Sequence, residues 1–147
     1  MMVPNMVLLN STFDEANALL VEARDYVKWQ APVDAERLSP LDRLKVSCEA
    51  MRVTARLTQV MAWLMLQKAV HAGELTAQEA QSEAFQILKS QTCLDNSSEE
   101  DEEIPMRLKV LLHDSYGIYV RILRLDEQSR KTPLSPREIK QMTDPRH

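Results

Sequence analysis

The side chains that could carry out catalysis or bind a metal are few and widely separated in this sequence. Among its 147 residues are three histidines and two cysteines, and Cys48 and Cys93 lie far apart along the chain. There is no CxxC or HExxH motif, and two glycines are too few for a glycine-rich phosphate loop. We therefore expect no catalytic residues, no metal site and no cofactor.

One pair of residues has a spacing that could support RNA cleavage. Arg107 and His113 match an Arg-x(4–6)-His spacing that resembles the HEPN ribonucleases, which are small dimeric helical bundles. In that family the arginine would bind the scissile phosphate and the histidine would transfer a proton. The polar residue that usually follows the arginine is replaced by Leu108 here. We keep a HEPN-like ribonuclease only as the enzymatic alternative.

The composition predicts one helical domain. A chain of this length can bury a substantial core, and it is poor in the aromatic residues that strands favour, with three tyrosines and two phenylalanines. Two cysteines give no disulfide framework and suit a reducing compartment. The net charge of −4 argues against broad nucleic-acid binding. We predict an all-α, small antiparallel helical bundle with a long central helix.

The most apolar stretch, Arg56–Glu74, is too short to cross a membrane. Only eleven uncharged residues separate Arg56 from Lys68, whereas a spanning helix needs about 18 or more apolar residues. The N-terminal "MMVPNMVLLN" has no basic region and a very short apolar patch, so we do not expect it to direct export.

Helix boundaries are marked by a Ser or Thr followed three residues later by an acid, which is the capping-box pattern. The four pairs are Thr12 with Glu15, Ser39 with Asp42, Thr76 with Glu79, and Ser135 with Glu138. A glycine suited to a helix C-terminus, Gly73, follows the second helix. We predict helices over about 12–30, 40–72, 76–91 and 104–128, the last opening at Pro105, with a short frayed turn after Ser135.

The long helix 40–72 is apolar on two opposed faces. The first stripe contains Leu41, Leu44, Cys48, Met51, Ala55, Thr58, Ala62, Met65 and Ala69. The second contains Val46, Ala50, Val53, Leu57, Val60 and Leu64. A helix with two such faces is buried on both. One face can pack on the first and last helices, and the other on the third helix or on a second copy of the chain. We assign dimerisation to the second stripe.

A third line on the same helix is polar and includes a tryptophan: Lys45, Glu49, Arg52, Arg56, Gln59, Trp63 and Gln67. It is either a solvated flank, whose arginines pair with Glu22 or Asp25, or a strip that binds a partner. Trp and Arg are enriched at interface hot spots. For partner binding we select Arg52, Arg56, Gln59, Trp63, Gln67, His71 and Glu74.

Two segments have the composition of unfolded chain. Cys93–Glu103 contains six acids and no base, so we predict a mobile, solvated acidic loop. Ser129–His147 contains three prolines and five basic residues, too polar to order easily, and we predict a disordered, flexible tail. The predicted domain organisation is therefore a bundle over 12–128 followed by a tail over 129–147.

Long stretches of the chain resemble one family. "CEAMRVTARLTQVMAWLMLQKAVHAGELT", "FDEANALLVEARDYV" and "HDSYGIYVRILRLDE" are similar to segments of the alphaproteobacterial RcdA family, named for regulation of CtrA degradation, in the same order. The resemblance covers roughly 13–127 and carries no catalytic motif.

The resemblance implies a cytoplasmic homodimer, concentrated at a cell pole beside its partners. Members of the family act as adaptors that deliver cell-cycle proteins to the ClpXP protease, together with a response-regulator-like partner that primes the unfoldase. We therefore expect a non-enzymatic proteolytic adaptor with no nucleic-acid or membrane partner. The alternative is a homodimeric helical scaffold for another signalling complex.

Overall fold

The computed structural model describes residues 5–88 and 91–131. Across these residues the secondary structure is helical, without strands, and the all-α prediction is confirmed. The helices are α1 (Met6–Asp25), α2 (Ala31–Ala35), α3 (Pro40–His71), α4 (Ala77–Leu88), α5 (Gln91–Leu94) and α6 (Met106–Lys131). A π-helical turn, Tyr26–Gln30, joins α1 to α2, and a 3-10 turn, Ser97–Glu100, precedes α6.

The first helix begins earlier than the capping pattern predicts. The side chain of Asn5, not Thr12, caps α1, because its carbonyl oxygen accepts a hydrogen bond from the Leu8 N–H at 2.8 Å. Thr12 lies inside the helix and is only 2% exposed. The capping box over Thr12 and Glu15 is therefore wrong, and Glu15 instead pairs with Arg121 of α6.

Both ends of α3 and the start of α4 agree with the prediction, whereas α4 ends at Leu88, before the predicted end at 91. The Ser39 hydroxyl accepts a hydrogen bond from the Asp42 N–H at 3.2 Å. At the other end of α3, Gly73 takes a positive φ of 76°, and the Glu74 N–H reaches back to the Ala69 carbonyl at 2.9 Å. This bond satisfies a terminal carbonyl in the manner of a Schellman motif. The Thr76 hydroxyl caps α4 by accepting from the Glu79 N–H at 3.1 Å.

The acidic segment has more structure than its composition suggests. The structure places α5 and the 3-10 turn within or beside it, and Cys93 and Ser98 are buried. The expectation of a solvated loop over 93–103 is therefore corrected. Acidic side chains of the segment still form ion pairs, since Lys45 pairs with Asp101 at 2.5 Å.

The long helices form a bundle around α3, which packs against α1, α4 and α6. Helices α1 and α3 run antiparallel, since Lys68 lies over the Phe13 ring while Val27, beyond the end of α1, lines a cavity with Val46. In contrast, α3 and α6 run parallel, because Arg56 contacts Leu112 and Trp63 contacts Asp126, so the residue numbers rise together. The core lies along the buried side of α3, between it and these three helices.

Only the first residues of the predicted C-terminal tail lie within the described part of the chain. Helix α6 continues through Lys131, three residues beyond the predicted end, and Ser129 is buried. The remainder of the predicted tail, and the pair Ser135 and Glu138, lie outside the described residues. Within the described part of the chain, no helix combines the length and the apolar character needed to cross a membrane.

Candidate protein-interaction surfaces

The polar line of α3 that we selected for partner binding points into the protein. Arg56 and Trp63 are fully buried and Gln67 is 2% exposed. The side chain of Arg52 is only 15% exposed. Gln59 is partly buried. These residues do not form a partner-binding strip, because the line faces α6 and the acidic segment. The two remaining selected residues, His71 and Glu74, are exposed at the end of α3.

Arg56 connects three parts of the chain. Its guanidinium donates to the backbone carbonyls of Cys93 at 2.8 Å, Leu112 at 2.9 Å and Asp95 at 2.6 Å, and to the Ser115 hydroxyl at 3.2 Å. Burial lowers the pKa of Arg56 from its usual value, although an arginine stays protonated in proteins. A buried cation is costly unless its donors are satisfied, and here backbone oxygens of the acidic segment and α6 satisfy them.

A second, more exposed layer surrounds Arg56. Arg52 pairs with Glu49 at 3.0 Å and with the Asp95 carboxylate at 3.1 Å. Hydrogen bonds within the acidic segment, from the Ser97 N–H and hydroxyl, lower the pKa of Asp95. The alternative in which Arg56 pairs with Glu22 or Asp25 of α1 is therefore wrong. Arg56 contacts α6 and the segment that sequence analysis had treated as solvated, and Arg52 contacts Glu49 of α3 and Asp95 of that segment.

The burial of the two apolar stripes of α3 is the reverse of the predicted arrangement. In the second stripe, Val46, Val53, Leu57, Val60 and Leu64 are buried inside the single chain and Ala50 is partly buried. The assignment of dimerisation to this stripe is therefore corrected, because the bundle already covers it. In the first stripe, by contrast, Leu41 is 75% exposed and Met51 is 71% exposed.

The first stripe belongs to an exposed face that carries no charge. Between Leu44 and Met65, every fully exposed residue of α3 is uncharged, although 27% of the chain is charged. We call this the outer face of α3: Leu44, Ser47, Cys48, Met51, Thr54, Thr58 and Met65. The stripe residues recur at alternating steps of three and four, which is the heptad spacing of helices that pack side by side.

A shallow apolar cavity continues the outer face toward α1. It has a volume of about 510 Å³, and its walls combine Val27 and Ala31, around the π-helical turn, with Ala50, Met51 and Ala55 of α3. An exposed apolar face with an adjoining cavity is typical of a protein–protein interface.

The two residues of the ribonuclease alternative have different surroundings. His113 is exposed, and its Nδ1 lies 2.6 Å from Glu99. It lines two cavities, and Arg107 lines neither of them. These two cavities therefore do not bring the pair together. Among the described residues there is also no group of three or more His, Cys, Asp or Glu side chains that could hold a metal.

These features define the class of protein as an all-α helical bundle with an exposed apolar face on its central helix. The chain belongs to the family described as "Protein of unknown function (DUF1465)", whose model matches residues 3–145; this is the RcdA family, and the resemblance predicted from the sequence is confirmed.

Among solved structures, the chain is similar to RcdA from Caulobacter crescentus CB15, with 33% identity and a TM-score of 0.66. The match covers 83% of this chain and 90% of the other. No curated protein matches the chain.

We predict that Arg56→Lys will destabilise the protein by about 2–4 kcal/mol, because one ammonium cannot reach the separate acceptors of the guanidinium and leaves buried carbonyls unpaired. Urea denaturation measures the loss, and hydrogen exchange should show earlier opening of residues 93–96. Arg124→Lys, at an exposed position of α6, is the control and should change stability by less than about 0.5 kcal/mol. Equal effects of the two changes would contradict a structural role for Arg56.

We also predict a pH-dependent contribution from Glu99. Partial burial raises the pKa of its carboxyl, but hydrogen bonds from Asn96 and His113 outweigh this and hold the pKa below its usual value. The ionised form therefore stabilises the fold above the pKa of the unfolded chain, and this is lost as the pH falls through the folded-state pKa.

Glu99→Gln should lower the free energy of unfolding by roughly 1 kcal/mol at pH 7. The difference from the unchanged protein should shrink as the pH falls below about 4. Chemical denaturation at several pH values measures both, and Glu83→Gln, at an exposed site on α4, is the control. A difference that grows on acidification would show that the sign is wrong.

Proposed function

We propose that this protein is a non-enzymatic adaptor that helps to deliver cell-cycle regulatory proteins to the ClpXP protease in the cytoplasm. The observation that carries the proposal is the similarity to RcdA over 83% of the chain at 33% identity, together with the adaptor role that the family resemblance implies. An adaptor raises the local concentration of cargo at the protease, so that the second binding event becomes effectively intramolecular.

The surface features of the bundle support an adaptor over an enzyme. The outer face of α3 offers an extended apolar contact, whereas Arg107 lines neither of the two cavities described beside His113. On the polar line of α3, Arg56 donates to backbone carbonyls inside the bundle and Trp63 donates to the Asp126 carboxylate. In the adaptor, a response-regulator-like partner and the cargo are expected to bind exposed surfaces.

The adaptor role can be tested by reconstituting degradation. Purified ClpXP, the response-regulator-like partner and a candidate cargo from the native organism are combined with and without this protein. We expect its addition to accelerate cargo loss several-fold. Arg107→Ala with His113→Ala should retain that activity. If the protein has no effect with any cargo recovered by pull-down, and instead cleaves RNA in a manner lost in the double variant, the ribonuclease alternative replaces the adaptor.

We further propose that the adaptor is a homodimer and that the outer face of α3, rather than the second stripe, forms its interface. In an antiparallel α3–α3 pair the heptad stripe would bring large side chains such as Met51 against small ones such as Ala55, which allows close packing. Between Leu44 and Met65 the most exposed charge is Lys45, which keeps 36% of its side-chain surface and pairs with Asp101, so the face adds little of the desolvation cost of an ionic surface.

Met51→Glu should convert the dimer to a monomer, because it places two buried carboxylates near the two-fold axis. Light scattering at tens of micromolar measures the mass, and circular dichroism checks that the helices remain. Phe85→Glu is the matched control, since Phe85 is 59% exposed on α4, and it should leave the dimer intact. A monomeric parent protein, or a Met51→Glu variant that stays dimeric, would contradict this interface.

A further inference from the structure

The acidic segment, residues 93–103, is attached to the bundle mainly by polar contacts. Of its side chains, Cys93 belongs to the apolar core, whereas Leu94 is 36% exposed. A cavity of about 630 Å³ lies beside the segment, with Glu99 of the segment and Tyr116 of α6 in its lining. Segments with few buried apolar contacts open at a lower free-energy cost than the core around them. We therefore expect the acidic segment to open as a unit before the bundle unfolds.

Solvent reaches the ion pairs that fasten the acidic segment. Lys45 of α3 pairs with Asp101, and both side chains are partly exposed. Arg52 is more buried, but the Asp95 carboxylate with which it pairs is 48% exposed. Ion pairs that solvent reaches are weak and are screened by salt. The attachment of the segment should therefore weaken as the ionic strength rises.

Two arginines of α3 lie beneath the acidic segment. Arg56 donates to the backbone carbonyls of Cys93 and Asp95, and Arg52 donates to the Asp95 carbonyl at 3.1 Å. On the α6 side, the Arg56 guanidinium carbon lies 5.2 Å from the centre of the Tyr116 ring. Backbone carbonyls are present in every peptide. The segment therefore occupies the two guanidinium groups in a way that another peptide could reproduce.

Opening of the segment does not leave a buried charge without partners. Once the segment is displaced, water reaches the Arg56 guanidinium and replaces the carbonyls of Cys93 and Asp95, so the cost of an unsatisfied buried cation does not arise. The open groove presents two arginines beside a tyrosine, and these residue types are enriched at interface hot spots. Guanidinium groups form especially strong hydrogen bonds with carboxylates, which favours an acidic occupant.

We propose that the acidic segment is a displaceable cover over a peptide-binding groove between α3 and α6, and that an acidic segment of a partner protein takes its place. In the closed structure Arg52 and Arg56 are unavailable to a partner, because the cover engages them. Since the cover belongs to the same chain, its effective concentration at the groove is high. Only a partner that is held nearby or is abundant displaces it. This inference goes beyond the adaptor role and does not rest on it.

Opening of the cover is measured by labelling Cys93 with 5,5′-dithiobis(2-nitrobenzoic acid) in the full-length protein. The chain has two cysteines, so Cys48→Ser leaves the fully buried Cys93 as the reporter thiol. The matched control combines Cys48→Ser and Cys93→Ser with Ala16→Cys, because Ala16 is fully buried in α1. We expect Cys93 to be labelled at least about tenfold faster than the thiol at position 16. Sodium chloride should raise the Cys93 rate.

The occupant is tested with an acetylated peptide that copies residues 94–103, LDNSSEEDEE, carrying fluorescein at its C-terminus. Asp95→Asn with Asp101→Asn loosens the cover. The control, Glu22→Gln with Glu83→Gln, makes the same change in net charge at exposed sites of α1 and α4.

Fluorescence anisotropy should show that the loosened variant binds the peptide at least about tenfold more tightly than the parent protein, because the competing cover is weakened. The control variant should bind like the parent, and Arg52→Glu added to the loosened variant should abolish the gain. Circular dichroism checks that each variant remains helical.

Displacement has a separate signature in the Cys48→Ser protein. Unlabelled peptide at about 1 mM should raise the Cys93 labelling rate several-fold, and a peptide with asparagine and glutamine in place of its acids should not. The proposal is overturned if the thiols at positions 93 and 16 are labelled at the same rate, or if the loosened and control variants bind the peptide equally. It is equally overturned if the peptide leaves the Cys93 rate unchanged.

These results are independent of the adaptor role, since they use the purified protein and a peptide. If the cover does not open or the peptide does not displace it, the groove fails and the degradation assay is unaffected. If the peptide displaces the cover but the protein does not accelerate cargo loss, the adaptor proposal fails and the groove stands.

Discussion

The burial of one guanidinium constrains much of this bundle. Arg56 lies in the middle of α3, and its donors can be satisfied only if α6 and the acidic segment stay in place around it. An unsatisfied buried charge would cost several kcal/mol. The stability of the fold therefore depends on the acidic segment being held beside Arg56, although that segment is polar. The acidic segment is held by its backbone carbonyls, which leaves most of its carboxylates at the surface.

This arrangement also determines which surfaces remain for partners. Because the polar line of α3 and its second stripe both face inward, the first stripe is left at the surface as an uncharged face. Between α1 and α6 a second cavity stays open, and its lining includes Asp114 and the ion pair of Glu15 with Arg121. The two surfaces differ in chemistry, because one is apolar and the other is lined in part by charged side chains.

Local signals in the sequence predicted both ends of α3 and the start of α4 well. Ser39, Gly73 and Thr76 act through hydrogen bonds to residues within five positions of them, so their neighbours in sequence are sufficient to define them. Thr12 shows the limit of the same reasoning. Its pattern with Glu15 is as good as the others, but α1 gains core contacts, including that of Leu9, because its cap is Asn5, seven residues earlier.

The sequence by itself determined that the protein is helical, where its central helix begins and ends, and to which family it belongs, because these depend on residue type, local spacing and long matching segments. Only the tertiary structure decided which face of α3 is buried. Both stripes are apolar at helical spacing, and the choice depends on the side chains that α1, α4 and α6 present. The same holds for Arg56, whose buried position depends on carbonyls contributed from 37 to 56 residues further along the chain.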